Sequence, residues 1–497
     1  MKRHPKRVSL CMIVKDEEDY LAACLDSVQG FADEVIIVDT GSKDRTVEIA
    51  SVYGARVISK AWEQDFSKAR NAGLERAEGE WILFLDADER LMEGAPEELQ
   101  KYMGDPGISA MLLQIRNVVG NGESQGETVH PVLRMFRNNP QHRFEGRIHE
   151  QIAAAIVRNN PHARFHMTEA VIHHVGYKQE VVLSKKKEMR NIELLKMAIA
   201  EEPDNGFHRY NIGVEHLRLG EPEAALAAFR LSRQMPDFDQ LNYAHLVIKY
   251  EALSLQLLSR WEEAASISEE GVQRYADYTD MWHYLALCSA YCGRLKKAQD
   301  AAERAIAIGT APLGYHTEAG MGTYRTAYLL GKIFEALQDA QGAIRSYVEA
   351  LRHQPDLLPP LFRMCVYMKA SGQGAKLPQL LATRLQCTDA AAALKLSAVL
   401  ALSGCEQESY AWTKLQASLQ KEEQTKRELL HASELLRNGD WSGLPLLASS
   451  KEKDTVSAVW RKRADLFLAQ SQQARRTEIE KKALTAVRLL LPGNDGW

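Results

Sequence analysis

Near Val181 the chain changes its hydrophobic period, and that one change limits the fold more than any figure of composition. Before it, from Val8 to about Lys60, short apolar runs alternate with amphipathic stretches. "VSLCMIV" precedes "EEDYLAACLDSVQGF", "EVIIVD" precedes "SKDRTVEIASVYG", and "ARVISK" closes the series. After the helical "FSKARNAGLERAEG" comes "WILFLD". Strands alternating with single helices at this spacing predict a mainly parallel α/β sheet covered on both faces. In such sheets ligands bind beyond the carboxyl ends of the strands. Three of the runs end in polar groups: Lys15-Asp16-Glu17, Asp39-Thr40-Gly41-Ser42 and Asp86-Ala87-Asp88. These ends are expected along one edge of the sheet.

Beyond about Val181 the pattern becomes helical, and a repeat appears. A small residue is followed seven positions later by a turn residue, and five beyond that by alanine. Gly213, Gly220 and Ala225 fit, as do Ala252, Ser259 and Ala264, then Ala286, Gly293 and Ala298, then Gly331, Gln338 and Ala343. The small positions allow paired helices to approach closely. The pattern resembles the tetratricopeptide repeat, a helical hairpin of roughly 34 residues. The turns are 39, 34 and 45 residues apart, so the array is irregular. Past Pro360 the signal fades, with "LALSGCEQES" and "LLRNGDWSGL" as degenerate hairpins. The expected organisation is an α/β domain over 1–183, helical repeats over 184–360 and a degenerate helical region over 361–497.

Composition excludes several classes. A chain of 497 residues has room for two to four domains, and 26% charged with 45% hydrophobic residues is globular. A net charge of -4 gives no electrostatic case for nucleic acid or an anionic membrane surface. The basic start before "VSLCMIV" imitates a signal peptide, but Lys15 to Glu18 end the apolar run and no cleavage site follows. No stretch is long and apolar enough to span a membrane. Seven scattered cysteines without a CxxC pair predict reduced, buried thiols in a cytoplasmic protein. The basic cluster "SKKKEMR" (184–190) reads as the solvated start of a linker helix.

Four stretches carry chemistry, each with a plainer structural reading beside it. "VDTGSKDRT" (38–46) makes a turn at Gly41 with Ser42 or Asp44 as a helix cap, and Asp39 as a carboxylate for a base or ribose. "DFSKARN" (65–71) sets Arg70 at a helix start, where a guanidinium matches a diphosphate. "LDADE" (85–89) puts Asp86 and Asp88 on one side of an extended segment, two hard oxygen ligands for Mg²⁺ or Mn²⁺, with Glu89 facing the other way. Between His130 and His174 lie seven of the fifteen histidines, among them His149 beside Glu150 and the pair His173-His174.

In this order "MIVKDEE", "VDTGSKDRT", "DFSKARN", "WILFLDADE", "RFEGRIHE" and "HHVGYK" resemble family 2 glycosyltransferases of the GT-A fold, over about residues 8 to 180. Followed by tetratricopeptide-like helices, they look like bacterial protein and peptide glycosyltransferases, which modify flagellin or attach sugar to cysteine in bacteriocin peptides. The resemblance implies an inverting, metal-dependent transfer from a UDP-sugar, UDP-N-acetylglucosamine or UDP-glucose, to Ser/Thr or Cys of a protein acceptor such as flagellin. It implies that the Val14 backbone, Glu17 and Asp39 bind the nucleotide, with Asp44 in support and Arg70 at the ribose or diphosphate. Asp88 then holds Mn²⁺ or Mg²⁺, His174 is a further contact to the metal or the diphosphate, Asp86 meets ribose or metal, and Glu150, beside His149, is the general base. The helical repeats bind the acceptor, self-associate, or both. Asp16 stands where relatives often have Asn, Thr40 where a second aspartate is common, and the usual acid-acid base motif has no copy. Two other readings compete: transfer to lipopolysaccharide or another envelope glycan, and a repeat scaffold with an inactive transferase domain.

Overall fold

A computed structural model describes residues 7–437 except 120–125, 176–180, 237, 355–356, 371, 385–392, 394–395, 398–399, 401–404 and 420–422. "LLRNGDWSGL" from residue 438, and "GYK" of the last motif, lie outside the described residues.

Strand β1 (Val8–Val14) pairs in parallel with β2 (Glu34–Asp39) and β4 (Trp81–Phe84), and β2 pairs in parallel with β3 (Arg56–Ser59). Helices α1 (Leu21–Asp26), α2 (Thr46–Val52) and α3 (Phe66–Leu74) follow β1, β2 and β3. The buried runs need apolar cover on both sides, and they have it. Leu10, Met12, Trp81 and Leu83 enter one core, while Cys11, Ile82 and Phe84 enter a second. This is the period of two read on a central strand.

The expected parallel arrangement stops at β4. Beyond it β7 (Gly126–Arg137) runs antiparallel to β4, β6 (Ile108–Val119) is antiparallel to β7, and β8 (Arg164–His174) is parallel to β6. The short β5 (Glu89–Leu91) pairs antiparallel with β8. The sheet is therefore mixed, in the order β3-β2-β1-β4-β7-β6-β8-β5. The physical reason is local: too few positions separate Val119 from Gly126 for the crossover that parallel neighbours require. Helices α4 (Ala95–Met103) and α5 (Ala153–Asn159) complete this part.

The rest is helical: α6 (Val181–Glu201), α7 (Gly206–Arg218), α8 (Pro222–Arg233), α9 (Ala244–Leu257), α10 (Trp261–Arg274), α11 (Thr279–Tyr291), α12 (Leu295–Ile308), α13 (Tyr324–Ala336), α14 (Ala340–His353), α15 (Leu358–Ala370) and three further helices to Arg437. All four turn residues of the repeat, Gly220, Ser259, Gly293 and Gln338, have positive φ. Ala225, Ala264, Ala298 and Ala343 are fully buried. The 45-residue interval between Gly293 and Gln338 has a structural cause. There the chain leaves the helices between α12 and α13 and makes β9 (Thr317–Glu318), which pairs with β7.

By internal contacts the chain forms two compact units, Met1–Tyr278 with Ala311–Ala319, and Thr279–Thr310 with Gly320–Trp497. The six cysteines among the described residues are free thiols. No described helix is long and apolar enough to cross a membrane.

Candidate active site

The ends of β1 and β2 lie side by side, with Val14 paired to Asp39. The loops that leave them are laced together. Glu17 N donates to Thr46 Oγ1 at 2.7 Å, Glu18 N to Asp44 Oδ2 at 3.0 Å, and Lys43 N to Asp16 Oδ1 at 2.7 Å. Thr40 N and its hydroxyl both donate to the Val14 carbonyl, at 3.0 and 3.1 Å. Asp44 is partly buried; burial opposes its charge, but bonds from Thr46 and Glu18 outweigh this and hold its carboxyl below the usual range. Val14, Glu17, Asp39 and Asp44 thus share one cradle. Asp39 is buried and turned inward, its carboxylate accepting from Gly41 N at 3.2 Å, Ser42 N at 3.1 Å and Ser42 Oγ at 2.5 Å. Gly41, at φ +105°, permits that tight return.

The acidic triplet behaves differently from the expectation of one extended segment. Glu89 N donates to Asp86 O at 3.0 Å, closing a tight turn that sends the two aspartates to different partners. Asp86 meets two arginines, Arg70 Nη2 at 3.2 Å on one oxygen and Arg134 Nη2 at 3.1 Å on the other. Arg134 also donates to Glu89 at 2.5 Å, and Arg70 Nε to Glu150. Glu89 does not face away from Asp86; its other oxygen accepts from Asp86 N at 3.0 Å. Two guanidinium groups therefore serve three carboxylates. The cluster is ordered by burial: Glu89 is 2% exposed and Arg70 8%, with the Arg70 guanidinium over the Phe84 ring at 4.9 Å. Burial alone disfavours charge on Asp86, but Arg134 and Arg70 outweigh it and hold the carboxyl far below its usual range. Burial and the neighbouring Asp86 charge push Glu89 the other way, against the pull of Arg134.

Asp88 faces β8 instead. Its Oδ2 lies 3.1 Å from His174 Nε2, and His174 Nδ1 is 2.7 Å from Asn117 Oδ1. Burial opposes charge on His174, yet the Asp88 bond and the charges of Asp88, Glu89 and Asp86 raise its pKa. With Asn117 Oδ1 accepting from Nδ1, the imidazolium form of His174 donates from Nε2 to Asp88, and the neutral form leaves the Nε2 lone pair for an ion. Among the described residues no group of three or more His, Cys, Asp or Glu side chains forms a ready metal cage.

Glu150 and His149 part company. The Glu150 carboxylate joins Arg70, whereas His149, at φ +53°, lies against α7 with Nε2 3.8 Å from the fully buried Glu215. Burial, helped by Arg218 and His208, lowers His149 to about 4. Arg134 and Asn117 belong to none of the sequence motifs. Arg134 carried a signal, a lone cation between Leu133 and Met135 in a strand-like run; Asn117 carried none.

Residues 9–160 match the model of glycosyl transferase family 2. A TPR repeat-containing protein of Synechococcus elongatus is 30% identical over 312 residues, 61% of this chain and 75% of that one. The SPbeta prophage-derived glycosyltransferase SunS of Bacillus subtilis is 28% identical over 218 residues, 43% of this chain and half of its own length. Among solved structures, S. aureus TarS aligns with 50% of this chain and 54% of its own at 16% identity and a TM-score of 0.30. The chain belongs to glycosyl transferase family 2: it is a glycosyltransferase with an α/β catalytic sheet followed by tetratricopeptide-like helices.

Proposed function

We propose that this glycosyltransferase moves N-acetylglucosamine or glucose from its UDP-sugar to a Ser/Thr hydroxyl or a Cys thiol of a polypeptide, with inversion. The observation that carries the reading is the Asp88–His174 pair, 3.1 Å apart at the end of the β4 run, beside the nucleotide cradle. Its fit to Mn²⁺ or Mg²⁺ is chemical. A carboxylate oxygen and an imidazole nitrogen face one another, and the outer ring nitrogen is held by an amide oxygen, a common arrangement behind a metal-bound histidine. When bound there, the ion supplies positive charge to the departing diphosphate, worth several kcal/mol in such reactions. Asp86, with an arginine on each oxygen, serves the ribose side and orders the turn rather than the ion.

The chain's own residues do the rest. Val14, Glu17 and Asp44 frame the uridine, and Asp39 keeps the cradle's loop closed or exchanges its Ser42 bonds for the nucleotide. Arg70 is engaged by Glu150 and Asp86. A diphosphate competes for the same guanidinium, and as Arg70 turns to phosphate oxygens Glu150 is released as base. The acceptor's oxygen or sulfur then attacks the anomeric carbon, its proton passes to Glu150, and the bond to the diphosphate oxygen breaks on the opposite face. His149, set against Glu215, takes no part. The helical repeats supply a surface suited to an extended, flagellin-like chain or to a second copy of the enzyme.

The test is transfer and hydrolysis of UDP-N-acetylglucosamine and UDP-glucose with Mn²⁺, by wild type and Asp88→Ala. The variant is expected to lose at least about 10²-fold, in line with removal of a group that stabilises leaving charge. Equal turnover by both would sink the metal assignment. No turnover of any donor by the wild type would favour a scaffold.

A further inference from the structure

The line of contacts behind His174 continues past Asn117. Asn117 stands on β6 in register with His174 on one side and Thr128 on the other. Its amide nitrogen lies 3.3 Å from His130 Nδ1 and 3.4 Å from Thr128 Oγ1. In this arrangement the amide nitrogen donates toward His130 and Thr128, and the amide oxygen is left to His174 Nδ1. His130, one position after the β7–β9 pairing, packs its ring on His316 at 4.8 Å between centroids.

His316 belongs to the segment Ala311–Ala319, which lies in the first unit although it is encoded between α12 and α13. That segment is firmly fixed. Its strand pairs Thr317 with Val129 and Glu318 with Thr128. The His316 carbonyl accepts from Tyr278 Oη at 2.6 Å and from Lys249 Nζ at 3.3 Å, and Lys249, 1% exposed, also meets Glu318 at 3.4 Å. Tyr250 Oη is 3.2 Å from His316 Nδ1, while His316 Nε2 is buried with no partner among the described residues. His316 thus meets His130 through ring packing, with the two rings tilted at 42°. A buried lysine and two tyrosines fix this ring beside His130.

From this juxtaposition we propose that Asn117, His130 and His316 are positioning residues for metal binding, with the inserted segment 311–319 buttressing the site. The inference rests on the reading that Asp88 and His174 hold the ion. Asn117 fixes the ring of His174 with Nε2 toward Asp88, His130 fixes the amide of Asn117, and His316 closes over His130. The longest interval in the repeat array then has a purpose. It is the point at which the helical half of the sequence returns a strand to the catalytic sheet and completes the support of its site.

The experiment measures Mn²⁺ affinity of the full chain with UDP, by electron paramagnetic resonance of the free ion, alongside near-ultraviolet circular dichroism. Asn117→Leu removes both the acceptor and the donor and is expected to weaken Mn²⁺ about 10- to 100-fold, the range for loss of such outer partners. Asn117→Asp keeps an acceptor for His174 Nδ1 and is expected to retain most of the affinity. His316→Ala is expected to weaken binding in the same direction and by less. If Asp88→Ala abolishes Mn²⁺ binding but folded Asn117→Leu binds as wild type, the positioning role is overturned and the metal reading stands. If Asp88→Ala binds Mn²⁺ unchanged, the metal reading itself fails. Should Asn117→Leu not fold, His316→Ala decides, and unchanged Mn²⁺ affinity there overturns the inference. Equal losses in Asn117→Asp and Asn117→Leu would also overturn it, since the acceptor would then be immaterial.

Discussion

The repeat helices and the acidic turn are both buried, but they are held by opposite kinds of contact. In α13 and α14, Gly331 receives the Tyr347 ring and Gln338 turns the chain between them, and in α7 and α8 Gly213 receives the Phe229 ring with Gly220 at the turn. At Asp86 the partners are Arg70 and Arg134, 16 and 48 positions away, and Glu150 is 80 from Arg70. At Gly331 the contact is apolar, an aromatic ring against helix backbone. The acidic turn keeps five charges in a small, mostly dry space, where each is stable only because the others are present. Loss of one member should therefore cost much more in the second region than in the first.

The largest effect is expected at Arg134. Arg134→Met leaves Glu89, 2% exposed, and one Asp86 oxygen without their cation. Breaking a buried pair on one side costs about 3–5 kcal/mol, and the 40% exposure of the Asp86 side chain points to the lower end. Urea unfolding measures it. Arg134→Met with Glu89→Leu removes both charges and should recover most of that stability, but not activity, because Asp86 stays under-held. If the double variant is as unstable as the single, packing and not charge is what Arg134 supplies.

A middle-sized effect is expected at the helical contact. A Cβ at Gly331 would overlap the Tyr347 ring, and one at Gly213 would come to 2.6 Å from the Phe229 ring. Overpacking typically costs about 1–3 kcal/mol, offset by about 1 kcal/mol of helix propensity on going from Gly to Ala. The difference is roughly 0–2 kcal/mol, and overlap with the fully buried Tyr347 ring puts Gly331→Ala toward the upper end; Tyr347→Leu in the same chain should relieve it. A neutral Gly331→Ala would mean that α13 and α14 can move apart.

The same contrast explains what could be read beforehand. The four turn positions and the alanines opposite them were legible because helical hairpins repeat their contacts at fixed spacing, and the strand ends were legible because apolar runs stop abruptly at Asp39 and Asp86. The antiparallel half of the sheet was not, since β6, β7 and β8 differ from parallel strands only in what they pair with. Nor was the turn at Asp86, which hides in three acids that an extended segment would arrange quite otherwise. Asn117 is the extreme case. Its importance comes entirely from His174, His130 and Thr128, and no local pattern distinguishes it from a surface amide.

Acid should weaken the first unit through its buried histidines, one of which, His245, stands on α9 of the repeat. Burial pushes His130, His149 and His245, all in the first unit, down to about 4. Each binds a proton more readily unfolded, near 6.5, than folded, so their contribution is complete above the unfolded value and is lost as pH falls from about 6.5 to 4. Unfolding free energy of the full chain should fall across that window. His245→Phe, away from the acidic turn, should make the decline shallower; an unchanged slope would show that folding does not lower the proton affinity of His245.

The smallest effect is the sharpest check on the repeat itself. Gly220 and Gly293 occupy the left-handed turn at φ +76° and +75°, while Ser259 and Gln338 hold the equivalent turns at +57° and +63°. A side chain there costs about 1–2 kcal/mol in backbone strain, partly offset by the entropy glycine loses on folding. Ser259→Gly and Gln338→Gly should therefore stabilise by about 0.5–1 kcal/mol, and Gly220→Ala and Gly293→Ala should destabilise by about as much. Opposite signs at corresponding positions would mean that one backbone geometry, and not the side chain, defines the hairpin turn. If Ser259→Gly destabilises instead, the serine makes a contact that the repeat pattern does not contain, and that hairpin is held as the acidic turn is, by partners particular to its own place in the chain.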